Sequence, residues 1–444
     1  MLSRRTLPLL LLALPAFGTE MLYLQQALQE ALQNNHGYIA SGTESRYAEE
    51  AVNWGNAGLF PNLDGTGGYT FSQLDTRQDR GGTIEDRSAA QSTAGNAGLN
   101  LNWTLFEGFA APRAHKRLQL QRDKARGLER LTREELLRST ALAYADLVRQ
   151  LRLRDALDSS AGISEERLRI LGRSLEAGAS AKPDWLEAHV DRNADRAALI
   201  RQEAILRSAR LGLGQILGRK ESVHENPESE LLMGKLEIGE LLAGLPERQP
   251  ALFLAATDKA LVEIAAQERA ALWFPKLDAR AGYNFSLTSS DAGFIRQNRT
   301  LGPSAGLQLR IPLFDGELPW RVQHRARLAL EAAEWRRRES QSVAEAALQQ
   351  SHAAWMAADS ALALESEGLT FARENLSLTF IRWKSGSIGY LDARRAQEKF
   401  LESATRTENT AFEAFSARVD LLRAAGRMES MLEESMEPAR SGAP

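Results

Sequence analysis

"LFPNLDGTGGYTFS" occupies Leu59 to Ser72, and "WFPKLDARAGYNFS" occupies Trp273 to Ser286, 214 residues further on. Eight of the fourteen aligned positions are identical, more than two unrelated strands would share. A second pair lies downstream, where "GLNLNWTLFEG" (Gly98 to Gly108) answers "GLQLRIPLFDG" (Gly306 to Gly316) at an offset of 208. The six-residue loss falls in a polar stretch, "QLDTRQDRGGTIEDRSAAQSTAGNA" in the first half, where a surface loop would absorb it. At the same 208 offset "RLGLGQILG" (Arg210 to Gly218) aligns with "RVDLLRAAG" (Arg418 to Gly426). The repeated unit is about half the chain, too long for a solenoid repeat of a few tens of residues. One large module has been duplicated.

Within the matched stretches the apolar period is two, the period of a strand with unlike faces. Leu99, Leu101, Trp103 and Leu105 alternate with Asn100, Asn102 and Thr104, and Leu307, Leu309, Ile311 and Leu313 with Gln308, Arg310 and Pro312. Tyr69 and Phe71 oppose Thr70 and Ser72, while Tyr283 and Phe285 oppose Asn284 and Ser286. The pattern predicts two strands per half, joined by a polar loop. A soluble sheet with one wet face would show the same alternation.

Each second strand is followed by a proline placed for a first helical turn, Pro112 and Pro319, where a missing N–H costs nothing. Leu348, Trp355, Leu362, Leu369 and Leu376 then recur every seven residues, as do Leu137, Tyr144 and Leu151 in the first half. A sustained seven-residue period winds helices into a left-handed supercoil. The proline-free run from Pro112 to Ala177 predicts a rod of roughly 100 Å at ~1.5 Å per residue. Both rods end at glycine turns in register, Gly178 and Gly386, from which return helices run over about 185–217 and 391–425. Shorter helices over about 22–53 and 250–273 complete each half. The expected division is a signal peptide over 1–18, a first repeat over 19–218, a linker over 219–249, a second repeat over 250–436 and a disordered tail over 437–444.

The signal-peptide reading rests on Arg4 and Arg5, the apolar run Leu7 to Phe17 and the small residues Ala16 and Gly18. Its removal leaves 53 basic against 58 acidic side chains, a net charge of −5, so nucleic acid is not the expected partner. There are no cysteines, hence no disulfide framework and no thiolate chemistry. No later stretch reaches eighteen apolar residues. A membrane-embedded form of this chain uses strands.

Four alternating strands leave two edges, which have no water to bond inside hydrocarbon, and four strands are too few to close a barrel. Either the sheet stays out of lipid or several chains pool their strands; the export signal, the lack of a helical span and the strand polarity favour pooling, with apolar residues toward lipid and Asn, Gln, Ser and Thr inward. On that basis the lipid-facing set is Tyr69, Phe71, Leu99, Leu101, Trp103, Leu105, Tyr283, Phe285, Leu307, Leu309, Ile311 and Leu313. With "GNAGLFPNLDGTGGY" and its copy, the strand ends "LNWTLFEG" and "IPLFDG", the turns "EAGASAKPDWLEA" and "KSGSIGYLDARRAQ", and the helix ends "ILG" and "AAG", the chain resembles the TolC-type outer membrane factor family over almost its whole mature length. The resemblance implies a mainly α protein with a membrane β part. A homotrimer would pool a twelve-stranded β-barrel in the outer membrane and continue it as a twelve-helix coiled-coil α-barrel through the periplasm. It also implies a channel of a tripartite efflux or type I secretion system, fed by an inner-membrane transporter through a periplasmic adaptor.

The resemblance further places a carboxylate constriction at Asp392, six residues after Gly386, with Arg395 where a second acid can stand. It places adaptor contacts at Arg173, Ser174, Leu175, Gly178 and Gly386, and lets Asp184 and Glu187 line the same tip. The plainer alternatives are that Asp392 caps the return helix and that Asp184 and Glu187 are a solvated face. "LGLGQILG" imitates a dinucleotide fingerprint without a preceding strand, and the six histidines have neither HxxxH spacing nor a cysteine partner. No cofactor, metal or catalytic group is expected, so the chain reads as non-enzymatic. The competing class is an exported periplasmic coiled-coil scaffold whose sheet never touches lipid.

Overall fold

The computed structural model describes residues 21–178, 180–228, 237–292, 295–314 and 316–434. The signal peptide read over 1–18 and the tail read over 437–444 lie outside them. The chain divides into two compact units: one is the described part of Met1–Ser41, Arg130–Pro250 and Ser342–Pro444, the other Gly42–Glu129 and Ala251–Gln341.

The duplication is geometric as well as textual. Helices α3 (Ala110–Glu176) and α4 (Lys182–Ile216) have 67 and 35 residues, and so do α7 (Leu318–Lys384) and α8 (Tyr390–Ala424). Every boundary of the second pair is that of the first plus 208. Six of the positive-φ glycines obey the same offset, Gly108 with Gly316, Gly178 with Gly386 and Gly218 with Gly426. Gly108 is irreplaceable on two counts, since a Cβ there would stand 2.9 Å from the Ala271 backbone in a left-handed conformation.

In the first unit, helix α1 (Leu24–Asn34) carries apolar residues at helical spacing. It presents Ala27 and Ala31 to one apolar cluster, with Tyr144, Leu147, Leu206 and Leu213, and Leu28 to another, with Leu137, Phe415, Val419 and Leu422. In the seven-residue series Leu348, Trp355, Leu376, Leu137 and Tyr144 are buried, Leu348 and Leu137 at 0 % exposure, and Leu362, Leu369 and Leu151 are half-buried. The helix read as continuous over 22–53 breaks at Asn35, whose side chain accepts from the Tyr38 N–H and donates to the Ile216 carbonyl. An extended Asn35 therefore ends α1 and starts α2 (His36–Glu50). The segment read as a linker, 219–249, is not structureless. It holds strand β4 (Asn226–Pro227), parallel to β1 (Met21–Leu22), and helix α5 (Ile238–Arg248), whose Leu241 and Leu245 are buried. Arg219 anchors its start by forking onto Glu30 and Glu225. Its Glu, Pro and Gly content hid a short amphipathic pattern.

Glu134, in the same unit, is 3 % exposed. Burial, helped by Glu429, outweighs Arg130 and Arg423 and pushes its carboxyl up to about 7. Between about pH 4.5 and 7 the folded protein keeps a proton that the unfolded chain has released, so stability falls as pH rises through that window. Glu134→Gln should flatten this fall, gaining on the order of 2–3 kcal/mol at pH 8 relative to the unaltered chain and little at pH 4. Thermal unfolding in detergent at the two pH values measures it.

The second unit is built on one antiparallel sheet in the order β2 (Asn62–Arg80), β3 (Thr83–Glu107), β5 (Lys276–Ser290), β6 (Gln297–Arg310). Helix α6 (Pro250–Arg269) precedes β5. The polar stretch expected to be a loop is strand: β2 and β3 stay paired up to Arg80 and Thr83, turning at Gly81 and Gly82, both at positive φ. Main-chain pairing is indifferent to side-chain polarity, so a ribbon polar on both faces left no alternation to read. Two further corrections concern the strand ends. β6 stops at Arg310, placing Ile311 and Leu313 beyond it, next to a proline with no N–H to pair. Leu105 sits at a bulge, where Thr104 pairs with Asp278 and Phe106 with Leu277, so Phe106 takes the place expected of it.

Candidate functional site

The register of the four strands gives the sheet two unlike faces. Five consecutive rows on one face carry no charge: Phe106–Leu277–Leu309, Trp103–Ala279–Leu307, Leu63–Leu101–Ala281–Ala305, Gly65–Leu99–Tyr283–Pro303 and Gly67–Ala97–Phe285–Leu301. The next row, Tyr69–Gly95–Leu287–Arg299, brings the first charge, and in Phe71–Thr93–Ser289–Gln297 three of the four residues are polar. This face is open, with Leu307 72 % and Leu63 66 % exposed. The opposite face reads Asn62–Asn102–Arg280–Gly306, Asp64–Asn100–Gly282–Ser304, Thr66–Gly98–Asn284–Gly302 and Gly68–Asn96–Ser286–Thr300. Strands β2 and β6 are the sheet edges, each paired on one side. A large open apolar face backed by a polar one fits a sheet standing between hydrocarbon and water.

In the first unit, α3 and α7 close into their turns with Gly178 and Gly386 at φ +71 and +73. Their amides return to Leu175 and Trp383 carbonyls at 3.0 and 2.9 Å. Leu168, Leu171 and Ala188 pack there with Trp383, Tyr390 and Ala393, joining first-half and second-half helices in one apolar cluster. Asp392 lies in the first turn of α8 and is exposed, and Arg395 is 4.0 Å from it, a loose surface pair. Asp184 occupies the first turn of α4 half-buried. Arg173, Glu187 and Gly386 are exposed, and Ser174 and Leu175 are half-buried.

Beside these residues lies a buried ionic network. Arg394 donates to Asp195 at 2.9 Å and lies 3.3 Å from Asp191, with Glu398 at its solvent side. Ser164 and Gln397 donate to Asp195, Tyr390 donates to Asp191, and Arg167 donates to Ser164 at 3.0 Å. Gln397 also donates to Ser160. Arg167 is 1 % exposed, and burial lowers its pKa. Burial opposes the charge on Arg394 as well, but the Asp195 hydrogen bond overcomes it and the pKa is raised. Burial, then the bond to Asp191, raises the Tyr390 hydroxyl. The sequence reading missed this set. The available signal was the seam spacing of Ser160, Ser164, Arg167 and Leu171 on α3, which puts polar side chains at core positions.

A family model described as outer membrane efflux protein matches residues 27–219 and again 245–427, most of the chain in two copies. The chain belongs to the outer membrane efflux protein family. Among similar proteins, the outer membrane efflux protein BepC of Brucella suis is 24 % identical over 414 residues, covering 91 % of this chain and 85 % of that one. Protein CyaE of Bordetella pertussis is 24 % identical over 337 residues, covering 74 % and 70 %. The same fold occurs in the CmeC outer membrane channel of Campylobacter jejuni (TM-score 0.74, 14 % identity, 93 % and 88 % covered) and in VceC of Vibrio cholerae (TM-score 0.69, 16 %, 91 % and 96 %). This outer membrane efflux protein is thus an outer membrane channel of tripartite efflux or secretion systems, with a periplasmic helical extension, and it is not an enzyme. Among the described residues no helix is long and apolar enough to cross a membrane, and no group of side chains could hold a metal.

Proposed function

We propose that three copies of this outer membrane efflux protein pool their sheets into one twelve-stranded barrel, apolar face to lipid, and their helices into one tunnel. The two-faced sheet carries the reading. From Leu309 to Arg299 strand β6 advances ten residues, ~34 Å at ~3.4 Å each. At a tilt of ~35–45° that is ~24–28 Å along the membrane normal, close to the ~25 Å apolar band of outer membrane barrels. The sheet edges β2 and β6 offer unpaired main chain for a neighbouring copy. In the helical unit the exposed seams are Leu186, Val190, Ile200 and Leu211 on α4 and Leu364, Phe371 and Leu378 on α7. A heterologous contact of one copy's α4 with the next copy's α7 would close a ring; the family resemblance supports a number of three. The channel should be extracted only by detergent, as a heat-resistant trimer. Release by osmotic shock as a soluble monomer would sink the reading.

The tip is the proposed contact and constriction zone. Arg173, Ser174, Leu175, Gly178 and Gly386 would meet the periplasmic adaptor, with Asp184 and Glu187 beside them. One exposed Asp392 per chain would focus negative potential on the narrowing bore, with Arg395 a partial counter-charge. Asp392→Ala is expected to raise single-channel conductance and weaken cation preference in planar bilayers. Unchanged conductance and selectivity would remove the ring.

A further inference from the structure

We propose that a cationic collar just below the strand ends binds the headgroups of anionic phospholipid in the periplasmic leaflet. The proposal rests on the membrane insertion argued above and concerns the level where strands give way to helices. There both repeats turn basic: residues 108–122 carry Arg113, Lys116, Arg117 and Arg122 and no acid, and residues 318–330 carry Arg321, Arg325 and Arg327 and no acid. This happens in a chain whose net charge is −3. It also opposes the usual preference, since the first turns of a helix favour acids.

Three of the cations are used internally, Arg113 on the Gly108 carbonyl, Arg117 on Glu268 and Arg122 on Asp123. Lys116, Arg325 and Arg327 are exposed and, among the described residues, have no carboxylate within ion-pair distance. Arg321 reaches Glu317 at 3.5 Å with both side chains largely in solvent, a pair of little strength. Lys116 and Arg325 lie six and seven residues into their helices, ~9–11 Å along the axis. Long stems that snorkel bring their charges back toward a headgroup zone roughly 5–8 Å thick. Aromatic rings mark the same level. Trp54 stacks on His115 at 4.1 Å, and Trp273 meets Trp320 edge-on at 5.2 Å, the indole placement of a membrane–water interface. Zwitterionic headgroups carry their own cation beside the phosphate, so unpaired arginine and lysine select lipids of net negative charge.

The test uses the full mature chain reconstituted in phosphatidylcholine vesicles containing about a quarter phosphatidylglycerol, with one lipid or the other brominated to quench tryptophan. The unaltered protein should be quenched ~2-fold or more strongly, per mole, by brominated phosphatidylglycerol, and high salt should erase the preference. Lys116→Gln, Arg321→Gln, Arg325→Gln and Arg327→Gln combined should give equal quenching by both lipids, whereas Lys399→Gln, in the other unit, should keep the preference. Equal quenching of the unaltered protein by both lipids overturns the collar. Absence of quenching by either overturns the insertion on which it rests.

Discussion

Leu99→Arg should abolish the membrane-embedded oligomer. Leu99 lies in the fourth of the five uncharged rows, flanked by Gly65 and Tyr283. An arginine near the midplane of an outer membrane barrel costs ~2–4 kcal/mol, and a ring of three copies repeats the cost at one depth, ~6–12 kcal/mol per assembly. Ser304→Arg is the matched control. Ser304 pairs with Gly282 on the polar face at nearly the same depth and is exposed, with water proposed beyond. The expected result is loss of the heat-resistant oligomer from outer membranes for Leu99→Arg and its retention for Ser304→Arg. Equal loss, or equal tolerance, would mean that the apolar face does not meet lipid.

The second large effect is expected at Arg394. Its guanidinium is the counter-charge to Asp191 and Asp195, whose side chains are 19 % and 10 % exposed. Arg394→Ala leaves Asp195 with only hydroxyl and amide partners and Asp191 with the Tyr390 hydroxyl and Arg167 at 3.9 Å, and breaking a buried pair in this way costs ~3–5 kcal/mol. The loss is local, because the leucine-rich clusters around Tyr144 and Phe415 do not involve these residues. Hydrogen exchange of amides over 390–400 should therefore speed up by at least ~100-fold while that over 137–148 stays slow. Adding Asp195→Ala should recover part of the loss by removing one stranded charge. Uniform acceleration along both stretches would show that the network does not act as a separate polar core.

How much of this was legible in the sequence depends on whether a residue's neighbours are near it in the chain. The helices were legible because α3 and α7 repeat an apolar residue every seven positions over many turns, so the period alone sets the buried stripe. Strands β5 and β6 were legible because a sheet with one apolar and one polar face demands opposite side chains at alternate positions. The upper parts of β2 and β3 were not, since a ribbon polar on both faces has no period. Nor was α5, a short helix stabilised by burying Leu241 and Leu245 rather than by its own composition.

The tip divides the same way. Gly178 and Gly386 announce their turns locally, through a conformation that favours glycine. The ionic network does not, because Asp195, Arg394 and Ser164 lie on three different helices. By itself the sequence determined the duplication, the long paired helices and a sheet with one apolar face, all consequences of period and spacing along one chain. Tertiary structure alone decided which charges are buried together, where the bulge at Leu105 resets the strand, and that Asp392 stays in solvent while Asp195 does not. Those outcomes turn on distances between segments some two hundred residues apart, which no local pattern encodes.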